Sequence, residues 1–205
     1  VTFTNSGTIA IGGAAGASGE FADAVVDLTG GIELDVTVDA TTITFLDANV
    51  SLINETGGSI IFSAVANATG DGTGAGFEAQ ATADAGWGVR QEVDNNDDGD
   101  ATASLTNAGV MGLSATANAN GLNTTAATPG ADALANAVAE ELFSQDVTAD
   151  DEGSAIATAV NSGTMFASAV ANAVADDIAI ANAAASLGSQ NVDAFDDNDH
   201  QALAA

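Results

Sequence analysis

Residues 94–100 read Asp-Asn-Asn-Asp-Asp-Gly-Asp. Side-chain oxygens at the first, third, fifth and seventh places (Asp94, Asn96, Asp98 and Asp100), with Gly99 at the sixth, form the first half of a calcium-binding loop. Calcium takes carboxylate and carboxamide oxygens, and the glycine permits the sharp turn. The bidentate glutamate that closes such a loop at its twelfth place is missing, because Leu105 stands there. The same residues also suit a solvated Asp/Asn/Gly turn between strands. Weaker candidates recur downstream at Asp150, Asp151 and Glu152, and at Asp193, Asp196, Asp197 and Asp199. Two carboxylates about 4 Å apart repel by about 1 kcal/mol in water and ~4 kcal/mol near a protein surface, which a divalent cation or salt would offset. Calcium is the expected cofactor for these clusters.

Catalysis has little to work with. His200 is the one histidine and sits in an acidic run, where solvation is the plainer reading. Cysteine, tyrosine and lysine are absent. Carboxylate pairs abound, and a glycosidase needs only two. A sugar cleft usually adds aromatic platforms, and one Trp with eight Phe is thin for that. Trp87, near Arg90, is expected to pack at a strand end. The expectation is that the protein is not an enzyme.

Charge excludes several partners. Twenty-nine acidic residues against one basic residue, Arg90, give a net charge of -28 over 205 residues. Nucleic acid and anionic membrane surfaces would repel such a chain. No apolar run approaches the roughly 18 residues of a spanning helix. The start, Val1-Thr2-Phe3-Thr4, lacks the basic and apolar regions of a signal peptide, so a secreted form would carry Val1 as a mature or trimmed terminus. Mean hydropathy of +0.22 argues against an acidic disordered tail.

What must position the acids is a repeat. Gly7, Gly58, Gly109 and Gly163 are spaced by 51, 51 and 54 residues, and each follows an asparagine: Asn5, Asn54, Asn107 and Asn161. After the last three glycines the chain reads Ser-Ile-Ile-Phe-Ser-Ala-Val-Ala-Asn-Ala, Val-Met-Gly-Leu-Ser-Ala-Thr-Ala-Asn-Ala and Thr-Met-Phe-Ala-Ser-Ala-Val-Ala-Asn-Ala. Gln91, Gln145 and Gln190 mark a second recurring site, followed each time by acids. Alternate residues place Ile60, Phe62, Ala64, Ala66 and Ala68 on one face, with Met111, Leu113, Ala115, Ala117 and Ala119 and then Met165, Ala167, Ala169, Ala171 and Ala173 as equivalents. Period two means strand, with this face inward, even where alanine content favours helix, as at 131–143 and 167–187. Asn-x-Gly is expected to make the corner, since both residues tolerate positive φ.

The expected fold is therefore all-β: one elongated, β-solenoid-like stack of about four ~50-residue repeats, approximately 1–51, 52–104, 105–158 and 159–205. Each repeat is one large three-sided turn or two smaller turns. An Ala-rich β-sandwich or jelly roll is the alternative.

Asn-x-Gly-Thr-Ile, runs of Ala-x-Ala-x-Ala and Asp-rich turns resemble the repeats of large secreted bacterial surface proteins: β-solenoid adhesins, autotransporter passengers and biofilm-matrix fibre proteins. The resemblance covers most of 50–205 and lies in repeat style. It implies an extracellular or cell-surface location and a structural or adhesive role, and it carries over no catalytic residue.

The two ends match in repeat phase. Ala202-Leu203-Ala204-Ala205 followed by Val1-Thr2-Phe3-Thr4 of another copy would lead into Asn5-Ser6-Gly7 as the inner repeats lead into theirs. These eight residues are the expected assembly interface of a head-to-tail filament, in which donated strands satisfy exposed sheet edges. A single excerpt of a longer repetitive chain would show the same phase. The expected partners are copies of the chain itself, as in an extracellular filament or biofilm-matrix fibre. The alternative is a calcium-stabilised adhesive module of a larger secreted protein that binds a cell or glycan surface. Its candidate ligand loop is 121–130, where Thr124, Thr125 and Thr128 flank Pro129.

Overall fold

The computed structural model describes residues 1–39, 46–70, 77–96, 99–122, 132–150, 153–195 and 202–204. Fifteen strands follow one another: β1 (Thr2–Asn5), β2 (Thr8–Gly19), β3 (Ala22–Leu28), β4 (Ile32–Val38), β5 (Ala48–Asn54), β6 (Ser59–Gly70), β7 (Phe77–Asn95), β8 (Ala101–Asn107), β9 (Val110–Gly121), β10 (Asp132–Asp150), β11 (Ala155–Asn161), β12 (Thr164–Ala175), β13 (Ala179–Ala185), β14 (Gly188–Phe195) and β15 (Ala202–Ala204). No helix occurs among the described residues, and so none that is long and apolar enough to cross a membrane.

The strands form three sheets. The first runs β1-β5-β8-β11-β15 and the second β2-β6-β9-β12. The third runs β3-β7-β10-β13, with β4 also on β7 and β14 also on β10. Every pairing in them is parallel. A sandwich or jelly roll is built from antiparallel strands, so that alternative does not describe these sheets. The chain visits the first, second and third sheets in turn before returning to the first. The sequence boundaries 51/52, 104/105 and 158/159 fall inside β5, β8 and β11, at residues that stand side by side: Ser51 beside Ser104, and Ser104 beside Thr158.

Alternation sets the core. Ile60, Phe62, Ala64, Ala66 and Ala68 are buried, as are Met111, Leu113, Ala115, Ala117 and Ala119. They meet Ala79, Ala81, Ala83 and Ala85 of β7 and Ala133, Ala135, Ala137 and Ala139 of β10. A second cluster joins the start of the first sheet (Val50, Ala101, Ala103, Ala155, Ala157) to the end of the third (Val93, Val147, Ala149). Burying a methyl contributes about 0.8 kcal/mol, so a core this rich in alanine gains from many small contacts. Phe62 is its largest fully buried side chain. A Cβ on Gly31 or Gly88 would run into the Phe62 ring, so the wall facing it carries no side chain.

Within the segments 131–143 and 167–187 the described structure is strand despite the alanine content, as period two requires: β10 from Asp132, β12 to Ala175 and β13 over Ala179–Ala185. The second segment is not continuous: β12 ends at Ala175 and β13 begins at Ala179. Trp87 is not at a strand end but within β7, between Gly86 and Gly88, and a Cβ on Gly30 would meet its indole ring.

The Asn-x-Gly corner also differs from expectation. Among the described glycines positive φ occurs at Gly19 and Gly57, and at none of Gly7, Gly58, Gly109 or Gly163. The last three are glycine because of close approach. A Cβ on Gly109 would strike the Gly58 carbonyl, one on Gly163 the Gly109 carbonyl, and one on Gly58 the carbonyl of Asn5, 2.7 Å away.

Candidate functional site

Each of β1, β5, β8 and β11 ends on an asparagine, and the four side chains form one ladder. Asn5 Nδ2 donates to Asn54 Oδ1 (2.8 Å), Asn54 Nδ2 to Asn107 Oδ1 (2.7 Å) and Asn107 Nδ2 to Asn161 Oδ1 (2.7 Å). The same amides donate to the first residue of the next strand in the second sheet: Ser59 O (3.3 Å), Val110 O (3.0 Å) and Thr164 O (3.0 Å). Every bond points toward the higher-numbered repeat. Asn54 and Asn107 are fully buried, so the ladder satisfies amides that would otherwise be costly to bury. Asn161, its last member, is exposed.

A glutamine ladder runs the opposite way. Gln145 Nε2 donates to Gln91 Oε1 and Gln190 Nε2 to Gln145 Oε1, each at 2.7 Å. Gln91 and Gln145 also donate to Ser104 O (2.8 Å) and Thr158 O (3.1 Å), tying the third sheet to the first. Shorter exposed ladders link Asn172 to Asn118 and Asn118 to Asn67, and Asn182 to Asn136.

The described candidate metal residues lie in or just after the third-sheet strands, on the way to the first sheet. Asp94 is half-buried near the end of β7, with Thr37 and Thr148 beside it. Asn96 is exposed, and its N–H donates to Val38 O (3.0 Å). Asp100 Oδ1 accepts from Ser154 N (3.0 Å), and Asp100 N donates to Asp47 Oδ1 (3.2 Å). Asp98 lies outside the described residues. Asp150 closes β10, and Asp193 stands in β14 opposite Thr148. Asp151, Glu152, Asp196, Asp197, Asp199 and His200 lie outside the described residues, as do 123–130 of the candidate ligand loop. Among the described residues no three acids or histidines are grouped to hold a metal ion.

Two residues of this stretch escaped the sequence reading. Asn95 is fully buried, and its amide donates to Leu46 O (2.9 Å) and Asp100 O (3.3 Å). Gly153 is bare because a Cβ there would strike the Gly99 carbonyl. The signal was the 54-residue interval between the two glycines, the same as between Gly109 and Gly163.

Register also lines up acids across the third sheet. Asp35, Glu92 and Asp146 stand side by side on β4, β7 and β10, as do Asp27 and Asp84 on β3 and β7. Arg90 pairs with Glu92 at 2.9 Å. Burial and then the neighbouring Asp27 carboxylate raise the Asp84 carboxyl above its ordinary value of 3.8, and among the described residues Asp84 Oδ1 is buried without a hydrogen-bond partner.

The residues expected at the assembly interface occupy the two edges of the first sheet. Thr2, Phe3, Thr4 and Asn5 pair with Ser51, Leu52, Ile53 and Asn54. The Val1 ammonium donates to Asn49 O (2.6 Å), and Ser51 N donates to Val1 O (2.9 Å). At the far edge Ala202, Leu203 and Ala204 pair with Ala155, Ile156 and Ala157. Ala205 lies outside the described residues.

No protein-family model matches the chain, and no curated protein or solved structure matches it.

Proposed function

We propose that the chain is a structural subunit of an extracellular filament or biofilm-matrix fibre, with copies joined head to tail. On this reading the three parallel sheets are the sides of one β-solenoid, and each ~50-residue repeat is one large three-sided turn. The observation that carries it is that all three sheets begin on strands of the first repeat (β1, β2, β3 with β4). They end on strands of the last (β15, β12, β13 with β14). Both ends therefore present parallel strand edges, which other chains satisfy through main-chain hydrogen bonds. Contacts between unlike ends do not close on themselves and so give filaments. The extracellular or cell-surface location rests on the resemblance in repeat style.

Electron microscopy of the purified protein, with and without chelator, tests this reading. Uniform filaments with an axial period of one chain are the expected result; dispersed monomers under both conditions would overturn it. The aligned carboxylates Asp35, Glu92 and Asp146 favour one second reading, a calcium-stabilised adhesive module that binds a cell or glycan surface. Monomers that gain thermal stability with calcium would support that instead.

A further inference from the structure

We infer that the edge formed by β11, β12, β13 and β14 receives the β1–β4 edge of a second copy in a single register. In it Asn5 of the second copy sits on Asn161, and Thr8 of the second copy sits on Thr164. The inference rests on the head-to-tail reading and deepens it by naming the contacts.

Three independent features fix the register. The first is strand length. β2 and β12 each span 12 residues, and β3 and β13 each span 7. Inside the chain Ala22 aligns through Ala79 and Ala133 with Ala179, and Ile32 aligns through Val89 and Phe143 with Gly188. The interruption between β3 and β4 thus faces that between β13 and β14, while β7 and β10 run through it. On β11, β15 pairs with Ala155–Ala157. β1 pairs with Ser51–Asn54, the part of β5 aligned with Thr158–Asn161. β15 and β1 therefore use complementary halves of the same seven-residue strand edge.

The second feature is the polarity of the asparagine ladder. Each amide donates forward to the next carboxamide oxygen, which leaves the exposed Asn161 with its NH2 group directed past the last repeat. At the opposite end Asn5 Oδ1 accepts from Gly7 N at 3.2 Å, and a carboxamide oxygen has room for a second donor. Donor meets acceptor in this arrangement. The glutamine ladder does not cross the junction, since Leu34 aligns with Gln91.

The third feature is Gly7. Among the described residues nothing lies within 4 Å of a Cβ built on it, and its φ is not positive. Its counterparts Gly109 and Gly163 are bare because the glycine carbonyl of the preceding repeat occupies that space, and Gly58 because Asn54 Oδ1 and the Asn5 carbonyl do. Gly7 has no such reason within its own chain. It gains one when the Gly163 carbonyl of another copy lies against it, accepting from Thr8 N as Gly58 O accepts from Val110 N (2.9 Å) and Gly109 O from Thr164 N (2.8 Å).

The test uses the absence of cysteine from the full chain. Thr8→Cys combined with Thr164→Cys puts thiols on directly opposed exposed positions, within disulfide reach only in the inferred register. Thr8→Cys with Ser168→Cys is displaced by four residues. Oxidation of the first variant is expected to give a ladder of covalent multimers, and of the second none. Gly7→Ala is expected to keep the thermal midpoint of the dilute chain while raising the concentration needed for assembly by about tenfold, equivalent to about 1.4 kcal/mol. Wild-type filaments without in-register cross-linking, or with off-register cross-linking only, would overturn the register and leave the filament reading standing. A wild-type chain that stays monomeric in sedimentation at all concentrations would overturn both.

Discussion

The amide of Asn54 donates to the carboxamide oxygen of Asn107 at 2.7 Å, and neither residue has any solvent exposure. Two buried carboxamides in adjacent repeats thus satisfy each other, and each also bonds a main-chain carbonyl of the repeat that follows. The corner is held by a chain of mutual dependence.

Asn107→Ala breaks that chain in the middle. It takes one of two acceptors from the buried Asn54 amide, which keeps Val110 O, leaves Asn161 Oδ1 without its donor and removes the donor to Thr164 O. A buried polar group left unsatisfied costs about 1–3 kcal/mol, so urea denaturation is expected to show a loss in that range. Asn118→Ala interrupts an exposed ladder of the same geometry, where water replaces the lost partner, and its effect is expected to stay within about 0.5 kcal/mol.

Close approach makes a sharper contrast. Gly109→Ala drives a methyl into the Gly58 carbonyl and is expected to cost about 1–3 kcal/mol, as overpacking does. Gly16→Ala, with nothing within 4 Å of the added carbon, is expected to leave the denaturation midpoint unchanged.

Phe62 is fully buried in an alanine-rich core, against bare backbone at Gly31 and Gly88. Phe62→Ala leaves a void there and is expected to cost about 3–5 kcal/mol in equilibrium denaturation. Phe62→Leu is expected to recover part of that loss.

Asp84 gives the protein a pH dependence of defined sign. Its native carboxyl holds a proton more tightly than the unfolded chain does, because of burial and the nearby Asp27 charge. Its contribution is therefore most favourable below the ordinary value of 3.8 and is lost as pH rises through the raised native value. Asp84→Asn is expected to raise the denaturation midpoint at pH 7, with the gain shrinking toward zero below pH 3.8. Asp27→Asn is expected to lower the Asp84 pKa, as followed by NMR titration.

Calcium is expected to raise the thermal midpoint, and chelator to reverse it, if a cation offsets repulsion at the Asp94–Asp100 corner. Asp94→Asn and Asp100→Asn would then each blunt the response. Equal midpoints in calcium and chelator would reduce residues 94–100 to a solvated turn.

Alternation made the inward faces legible. Phe62, Leu113 and their alanine neighbours are buried where period two placed them, and the same period overrode alanine's helix propensity in β10 and β12. The break between β12 and β13 left a trace in Asp177, the one odd position from 167 to 185 that is not alanine. The glycines were harder to read, because a sequence does not distinguish the need for positive φ from the need for bare backbone. Gly57 answers the first need, and Gly58, its neighbour, answers the second. Trp87 was expected at a strand end, yet it lies within β7, and Gly88 beside it is bare to admit Phe62. At the acidic corner a loop template hid the strand. β7 runs on to Asn95, so that residue turns inward and bonds the corner while Asp94 beside it does not.

The two ends of the molecule are protected unequally. β3 still buries Ala22 and Ala24, whereas every residue of β13 is exposed. β3 and β13 are each held by one neighbour within the sheet, β7 and β10 respectively, so the difference between the two ends lies in burial. Opening free energies therefore fall toward the C-terminal repeat. Amide protons of β13 are expected to exchange early and those of β7 and β10 late, and a protease trimming the isolated chain is expected to begin near Ala179–Ala185 and to work inward.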